Sequence, residues 1–162
     1  MTAAVLSIGT ELTRGELVNT NAAWLGEELT KLGFDVTEHA TVDDQLDRIV
    51  TLIRRFAEEH RVVIVTGGLG PTSDDLTTAA AAKAAGVALR RDESIVEGIR
   101  RKFKAFGRVM PESNAKQGDF PEGAKILSNP VGTAPGFAIR LGQALLFFTP
   151  GVPREMKHIF HE

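Results

Sequence analysis

Short apolar runs alternate with stretches of helical period along the first half of the chain. Ala3 to Ile8 is an apolar run that ends at Gly9, the pattern of a strand buried on both faces. Ala22, Leu25, Leu29 and Leu32 then recur at helical spacing, with Asn19 or Thr20 placed to cap the helix and Gly33 to stop it. Phe34 to Val42 alternates loosely and predicts a second strand. A helix follows from Asp43 or Asp44, with Leu46, Ile49, Val50, Ile53, Phe56 and Ala57 on one face. Val62 to Val65 is a third strand, and an alanine-rich helix runs from Ser73 or Asp74 to Ala85. Strand–helix alternation of this kind implies right-handed crossovers and a largely parallel sheet with helices on both faces.

The second half has a different texture. Asp92 to Phe106 predicts a helix with Ile95, Ile99, Phe103 and Phe106 inward, and Pro111 opens a short helix carrying Ser113, Asn114 and Gln117. Glycine and proline then crowd into Pro121-Glu122-Gly123 and into Asn129 to Gly136. Phe137 to Arg140 and Ala144 to Phe148 read as a hairpin turning at Gly142-Gln143. Pro153 opens a last helix. There is no internal repeat and no interdomain linker, so residues 1–162 form one domain.

Ligands of parallel α/β sheets sit at the C-terminal strand ends. Three predicted loops meet there: Gly9 to Gly15, Val42 to Asp44, and Thr66 to Thr77. The last holds the densest chemistry, Thr66-Gly67-Gly68-Leu69-Gly70-Pro71-Thr72-Ser73-Asp74-Asp75-Leu76-Thr77. Glycines let backbone N–H groups approach a phosphate at a helix start; the bland alternative is a tight turn with no ligand. No Gly-Lys-Ser/Thr follows, so this is not the P-loop pattern, and the glycine spacing is not that of a dinucleotide fingerprint. Capping accounts for one of Asp74 and Asp75 but leaves a surplus acid, suited to holding Mg²⁺ or orienting water. Glu11, just past the first strand, has no capping role and is a candidate metal ligand. Asp44 serves equally well as a site carboxylate or a helix cap. Thr10, Thr77 and Thr133 offer hydroxyls to phosphate oxygens.

Composition narrows the classes. Net charge is −2, with 19 basic and 21 acidic residues and no interleaving of aromatic and basic positions, so direct nucleic-acid binding is not expected. The absence of cysteine removes disulfides, thiolate metal sites and a cysteine nucleophile. The start, Met1 to Val5, lacks signal-peptide features, and no apolar run approaches membrane-spanning length, so a cytoplasmic protein is expected. The histidines at 39, 60, 158 and 161 show no metal-ligand spacing. The basic residues between Arg90 and Arg108 are interleaved with acids and read as a solvated helix face.

Six ordered motifs carry a family resemblance: Gly9-Thr10-Glu11-Leu12, Asn19-Thr20-Asn21-Ala22, Gly67 to Thr77, Ser113-Asn114-Ala115-Lys116-Gln117, Asn129 to Phe137, and Pro150-Gly151-Val152-Pro153-Arg154-Glu155-Met156. Together they resemble the N-terminal domain of the CinA (competence/damage-inducible) family, within the molybdopterin-binding superfamily of MogA, MoaB and the gephyrin G domain. The resemblance implies a three-layer α/β/α fold with a mostly parallel sheet, plus the C-terminal hairpin. It implies catalytic roles for Asp44 and Asp75, although Asp43 stands where the CinA pattern usually has glycine and Thr13-Arg14 also departs from it. With the residue reading, it gives a ligand set of Gly9, Thr10, Asn21, Gly67, Gly68, Gly70, Thr77, Gly132, Thr133, Pro150 and Gly151. The metal set is Asp74, Asp75 and Glu11.

The implied activity is hydrolysis of ADP-ribose-like pyrophosphates, dependent on Mg²⁺ or another divalent cation and on K⁺. The alternatives are molybdopterin binding or adenylylation, and a non-catalytic competence or damage-response module. A small nucleotide or pterin ligand and a homo-oligomer are the implied partners. The family's C-terminal amidase domain, which carries nicotinamide mononucleotide deamidase activity, is expected to be absent from a chain ending at Glu162.

Overall fold

The computed structural model describes residues 1–162. Its main sheet has six strands: β1 (Thr2–Ile8), β2 (Asp35–Val42), β3 (Val62–Thr66), β6 (Lys125–Leu127), β7 (Gly136–Leu141) and β8 (Ala144–Thr149). They lie in the order β2-β1-β3-β8-β7-β6. β2, β1, β3 and β8 are parallel neighbours, and β7 and β6 complete the sheet antiparallel. The predicted C-terminal hairpin is therefore no appendage. Its second strand, β8, pairs with β3 from Val62↔Leu145 to Thr66↔Thr149 and brings Thr149 and Pro150 beside the glycine turn.

The helices are α1 (Thr10–Thr13), α2 (Thr20–Lys31), α3 (Leu46–Glu59), α4 (Thr77–Ala85), α5 (Glu93–Ala105) and α6 (Pro153–Phe160). Side chains of a strand alternate between faces, and β1 divides its residues accordingly. Ala4, Leu6 and Ile8 join the larger core with Ile49, Ile53, Phe56, Ala80 and Ala84 from α3 and α4. Ala3 and Val5 face the smaller core with Ala22, Leu25 and Leu29 of α2 and Met156 of α6. The result is three layers, α/β/α. No helix is long and apolar enough to cross a membrane.

Several local expectations are corrected. Gly9 to Gly15, expected as loop, contains the short helix α1. α3 begins at Leu46 behind Gln45, so neither Asp43 nor Asp44 caps it; Asp43 instead pairs with Arg48 at 2.7 Å. α4 begins at Thr77 rather than at Ser73 or Asp74, which frees both aspartates from capping. In α5, Ile99 is buried and Ile95 and Phe103 are half-buried as predicted, Val96 is buried beside them, and Phe106, predicted inward, is 81% exposed. Three short strands escaped the sequence reading: β4 (Leu89–Arg91) and β5 (Asp119–Pro121), which form a separate antiparallel pair, and β6, which adds to the edge of the main sheet. A 3-10 turn at Glu112–Gly118 follows Pro111 as predicted.

Two glycines are required by the close approach of β1, β3 and α4. Gly67 has φ 104°, and a Cβ there would overlap the Ile8 carbonyl oxygen. Gly68 has φ 67°, and a Cβ would overlap the Thr77 hydroxyl. No other residue fits without moving a strand end.

Candidate functional site

At the C-terminal ends of β1, β3 and β8 lies an open cleft of about 1060 Å³. One wall comes from α1 and the turns after β2 and β3. The other comes from the 133–134 and 150–155 segments. Gly9, Thr10, Glu11, Asn21, Asp44, Gly67, Gly68, Gly70, Asp74, Asp75, Thr133, Pro150 and Gly151 all line it. Residues up to 147 positions apart in the chain, from Ile8 to Glu155, are thus brought to one surface.

Two predicted ligand residues do not line the cleft. Thr77 is fully buried, and its hydroxyl donates to the Gly67 carbonyl at 2.7 Å, closing the turn from behind. Gly132 lies beneath the 133–134 wall against the Glu155 carboxylate. The phosphate-cradle expectation also shifts by one residue. The Gly67 N–H is donated to Thr149 O at 3.0 Å. Within the glycine turn, the N–H groups of Gly68, Leu69 and Gly70 make no hydrogen bond within the protein. The first residue of α4, Thr77, does not line the cleft, whereas Pro71, Thr72, Asp74 and Asp75 before it do.

Both candidate catalytic aspartates are held by one oxygen. Asp44 Oδ2 accepts from the Thr10 N–H and the Thr10 hydroxyl, each at 2.8 Å, and that hydroxyl in turn accepts from the Asp44 N–H at 3.2 Å. Asp75 Oδ2 accepts from the Thr72 N–H at 2.9 Å and the Thr72 hydroxyl at 2.6 Å. In each case Oδ1 carries no hydrogen bond from the protein. Each carboxylate is therefore fixed through one oxygen and keeps the other free. The Lys116 ammonium donates to the Thr72 and Asp75 carbonyls and braces the acidic loop from outside.

Asn21 ties the two walls together. Its side-chain N–H group donates to Gly151 O at 2.8 Å and to the Thr66 hydroxyl at 3.3 Å, and Thr66 donates to Pro150 O at 3.1 Å. Opposite, Gln117 donates to the Thr133 hydroxyl at 3.2 Å.

Oxygen donors of this type suit hard divalent cations. Glu11, Asp74 and Asp75 line the cleft, yet they do not converge as a three-carboxylate cage. The one set of three acidic or histidine groups whose ligand atoms all lie within 4.8 Å of one another is Glu38, Glu59 and His60, far from the cleft. There Arg55 already pairs with Glu38 at 2.6 Å and with Glu59 at 3.0 Å, holding the Glu38 carboxyl below its usual range. That cluster brings a histidine beside two carboxylates, which the chain spacing did not suggest, but it is satisfied as an ion-pair network. In the cleft, the open oxygens of Asp44 and Asp75 fit the sparse protein coordination of Mg²⁺, which takes one or two carboxylates and completes its shell with water and substrate oxygens.

The cleft is strongly acidic: Glu11, Asp44, Asp74, Asp75 and Glu155 line it, and Arg14 is the one cation. Glu155 was missed as a candidate. Its only sequence signal was its place in the Pro150 to Met156 motif, where a glutamate in the first turn of α6 reads as an ordinary helix-start acid.

The profile of the family described as "Probable molybdopterin binding domain" matches residues 4–162. A CinA-like protein of Frankia casuarinae is 47% identical over 99% of this chain, and one of Escherichia coli O9:H4 is 48% identical over 94%. The chain spans about 38% of the length of these curated relatives. Among solved structures, a CinA of unknown function from Thermoplasma acidophilum superposes with TM-score 0.90 at 38% identity, covering 99% of this chain and 94% of that one. MoaB from Thermus thermophilus superposes with TM-score 0.64 at 21% identity, over 98% of this chain and 86% of its own, a likeness of fold. The fold, the family profile and the CinA match agree, and the chain belongs to the molybdopterin-binding domain family as a CinA-like member.

Proposed function

We propose that the cleft binds a nucleotide-type pyrophosphate, ADP-ribose or a close analogue, and hydrolyses it with the aid of a divalent cation. The observation that carries this reading is the pairing of three unengaged backbone N–H groups at Gly68, Leu69 and Gly70 with an excess of carboxylates. Backbone amides favour a phosphate, whereas five acids against one arginine repel it. A cation resolves the conflict, because it gives the carboxylates and the phosphate oxygens a shared counter-charge.

In this reading Asp44 and Asp75 present their open Oδ1 atoms to the cation or to the attacking water. Thr10 and Thr72 keep those carboxylates from rotating away, and Thr10 is itself on the cleft surface. Gly68, Leu69 and Gly70 receive the phosphate oxygens, and the 133–134 and 150–153 segments hold the nucleoside end. Asp74 and Glu11 lie near enough the surface to bind the cation through water. A requirement for K⁺ and assembly into a homo-oligomer belong to the same proposal; metal-free protein titrated with K⁺, and sedimentation, test them.

The deciding assay measures ADP-ribose hydrolysis with Mg²⁺ and K⁺. Asp75→Asn is expected to lower turnover by at least about a hundredfold, the usual range for losing a positioned acid–base or metal-binding carboxylate. Turnover no greater in the parent chain than in this variant overturns the reading. A second reading, molybdopterin binding or adenylylation, is favoured by the family description itself. Calorimetry with molybdopterin beside ADP-ribose separates the two: tighter binding of the pterin selects the second. The CinA-type Gly9 to Leu12 and Asn129 to Gly136 segments support the first. A non-catalytic partner of DNA uptake or repair is disfavoured by the acidic cleft.

A further inference from the structure

Glu155 belongs to no role assigned so far, and the chain goes to some length to fix it. The Asn129 side-chain N–H group donates to Glu155 Oε2 at 2.6 Å and also to Ala134 O at 2.7 Å. Gly132 lies so close that a Cβ would overlap the carboxylate. The Lys102 ammonium, from α5, donates to the carbonyls of Asn129 and Gly132, each at 2.6 Å, and so closes the loop around the acid. Burial pushes Lys102 below the usual lysine range, and the nearby Glu155 charge opposes that shift. Asn129 itself is 4% exposed.

Helix capping does not account for this arrangement. The first turn of α6 receives no side-chain cap, and the Glu155 carboxylate accepts no backbone N–H. Nor does a salt bridge, because Lys102 bonds to carbonyls and leaves the carboxylate to Asn129. Oε2 is engaged, while Oε1 carries no hydrogen bond from the protein and Glu155 lines the cleft. One oxygen of a cleft-lining carboxylate is thus left without a partner in the protein.

A single charged acceptor suits a ligand hydroxyl. Its surroundings favour a sugar next to a ring. Val152, three residues before Glu155, is 53% exposed on the same wall, and Leu17 and Val18 face the cleft 60% and 85% exposed from the α1 side. These aliphatic side chains are otherwise unexplained at the surface, and they offer the cleft the apolar area that a base would cover. The unengaged amides of Gly68 to Gly70 line the same cleft, so a phosphate there and a sugar hydroxyl at Glu155 can belong to one ligand.

We propose that Glu155 is a specificity-determining residue that accepts a hydrogen bond from a ribose hydroxyl of the bound nucleotide, with Asn129, Gly132 and Lys102 as the residues that position it. The inference rests on the nucleotide reading of the cleft. It goes further, because it assigns recognition of the sugar to one carboxylate.

The test is calorimetric binding of ADP and of 2′,3′-dideoxy-ADP, with Mg²⁺, to the whole chain. ADP is expected to bind at least about tenfold more tightly than the dideoxy compound, the scale of one hydrogen bond to a charged group. Glu155→Ala removes the acceptor, and Gly132→Ala displaces it while leaving it charged. In both variants the two ligands are expected to bind within about threefold of each other, a loss of most of that one bond. Thermal melting checks that each variant is folded, and the two variants fail for different reasons, so one unstable protein does not end the test. Equal binding of both ligands by the parent chain, or a preference that survives in Glu155→Ala, overturns the assignment while leaving the nucleotide reading intact. No binding of either ligand overturns both. Hydroxyl-dependent binding without any hydrolysis upholds this inference and removes only the pyrophosphatase step.

Discussion

The two walls of the cleft are built on different principles. On the phosphate wall, each functional carboxylate is held by a partner on a neighbouring turn: Asp75 by Thr72, three residues earlier, and Asp44 by Thr10 at the adjacent strand end. On the opposite wall, Glu155 is held by Asn129, 26 residues away, and the loop around it is closed by Lys102 from α5, 27 and 30 residues from the carbonyls it reaches. The first wall joins one bond internal to a single turn, Thr72 to Asp75, to reaches of 34 residues from Thr10 to Asp44 and 44 and 41 residues from Lys116 to Thr72 and Asp75. The second has no such internal bond: every hydrogen bond that fixes Glu155 and its loop, apart from Asn129 to Ala134, crosses between segments. Scaffold damage is therefore expected to release Glu155 before Asp75.

The largest expected effect follows from that dependence. β8 leads directly into the 150–155 segment, and its Phe148 is fully buried, stacked on Phe137 with ring centroids 4.5 Å apart and planes within 10°. Phe148→Ala is expected to cost about 3–5 kcal/mol, the range for emptying a packed aromatic site. Denaturant unfolding measures it. If the comparison holds, nucleotide affinity also falls in the folded variant while the amides of Gly68 to Gly70 are retained. A cost below about 1 kcal/mol, well short of the cavity range, contradicts the packing argument.

The contrast also explains what could be read from the chain alone. The strand–helix alternation, the glycine turn and the paired aspartates were legible because their signals lie within a few residues of each other. Even so, the helix after the turn starts three residues later than Asp74, and Thr77 serves the turn from behind rather than the ligand. A hydroxyl in a glycine-rich motif has the same sequence signature in either role. The β4–β5 pair was missed because its three-residue strands carry no period, and Leu89 and Arg91 are exposed. Glu155 and Lys102 were the least legible. An acid in the first turn of a helix and a lysine among Arg100, Arg101 and Lys104 both look like solvated surface. Only the fold reveals that each is pinned by groups far away in sequence.

A smaller effect is expected at the phosphate wall's own hinge. In Gly67→Ala the new Cβ meets the Ile8 carbonyl at φ 104°, so the turn must deform or β1 must shift. The cost is expected to be about 2 kcal/mol or more, from positive-φ strain and the overlap together. Phosphate binding should weaken in the same variant, because the displaced residue precedes the three free amides. Unfolding free energy and calorimetry with ADP read the two consequences separately. A variant as stable as the parent contradicts the close approach of β1 and β3.

The two bracing lysines give the finest comparison, because each spans two carbonyls of one wall. Lys102 is half-buried and holds Asn129 and Gly132; Lys116 holds Thr72 and Asp75 nearer the surface. Replacing Lys102 with methionine keeps the length of the side chain and leaves two carbonyls without a donor where water enters poorly, at an expected cost of about 1–3 kcal/mol. Replacing Lys116 in the same way exposes its two carbonyls to solvent, which supplies hydrogen bonds in place of the ammonium, so less than about 1 kcal/mol is expected. The binding readout should separate the walls as well. Lys102→Met loosens the grip on Glu155 and lowers the preference for ADP over its dideoxy analogue. Lys116→Met loosens the acidic loop and weakens both ligands alike. If instead both variants weaken both ligands by the same factor, the walls move as one unit, and the separate roles of the two walls fail.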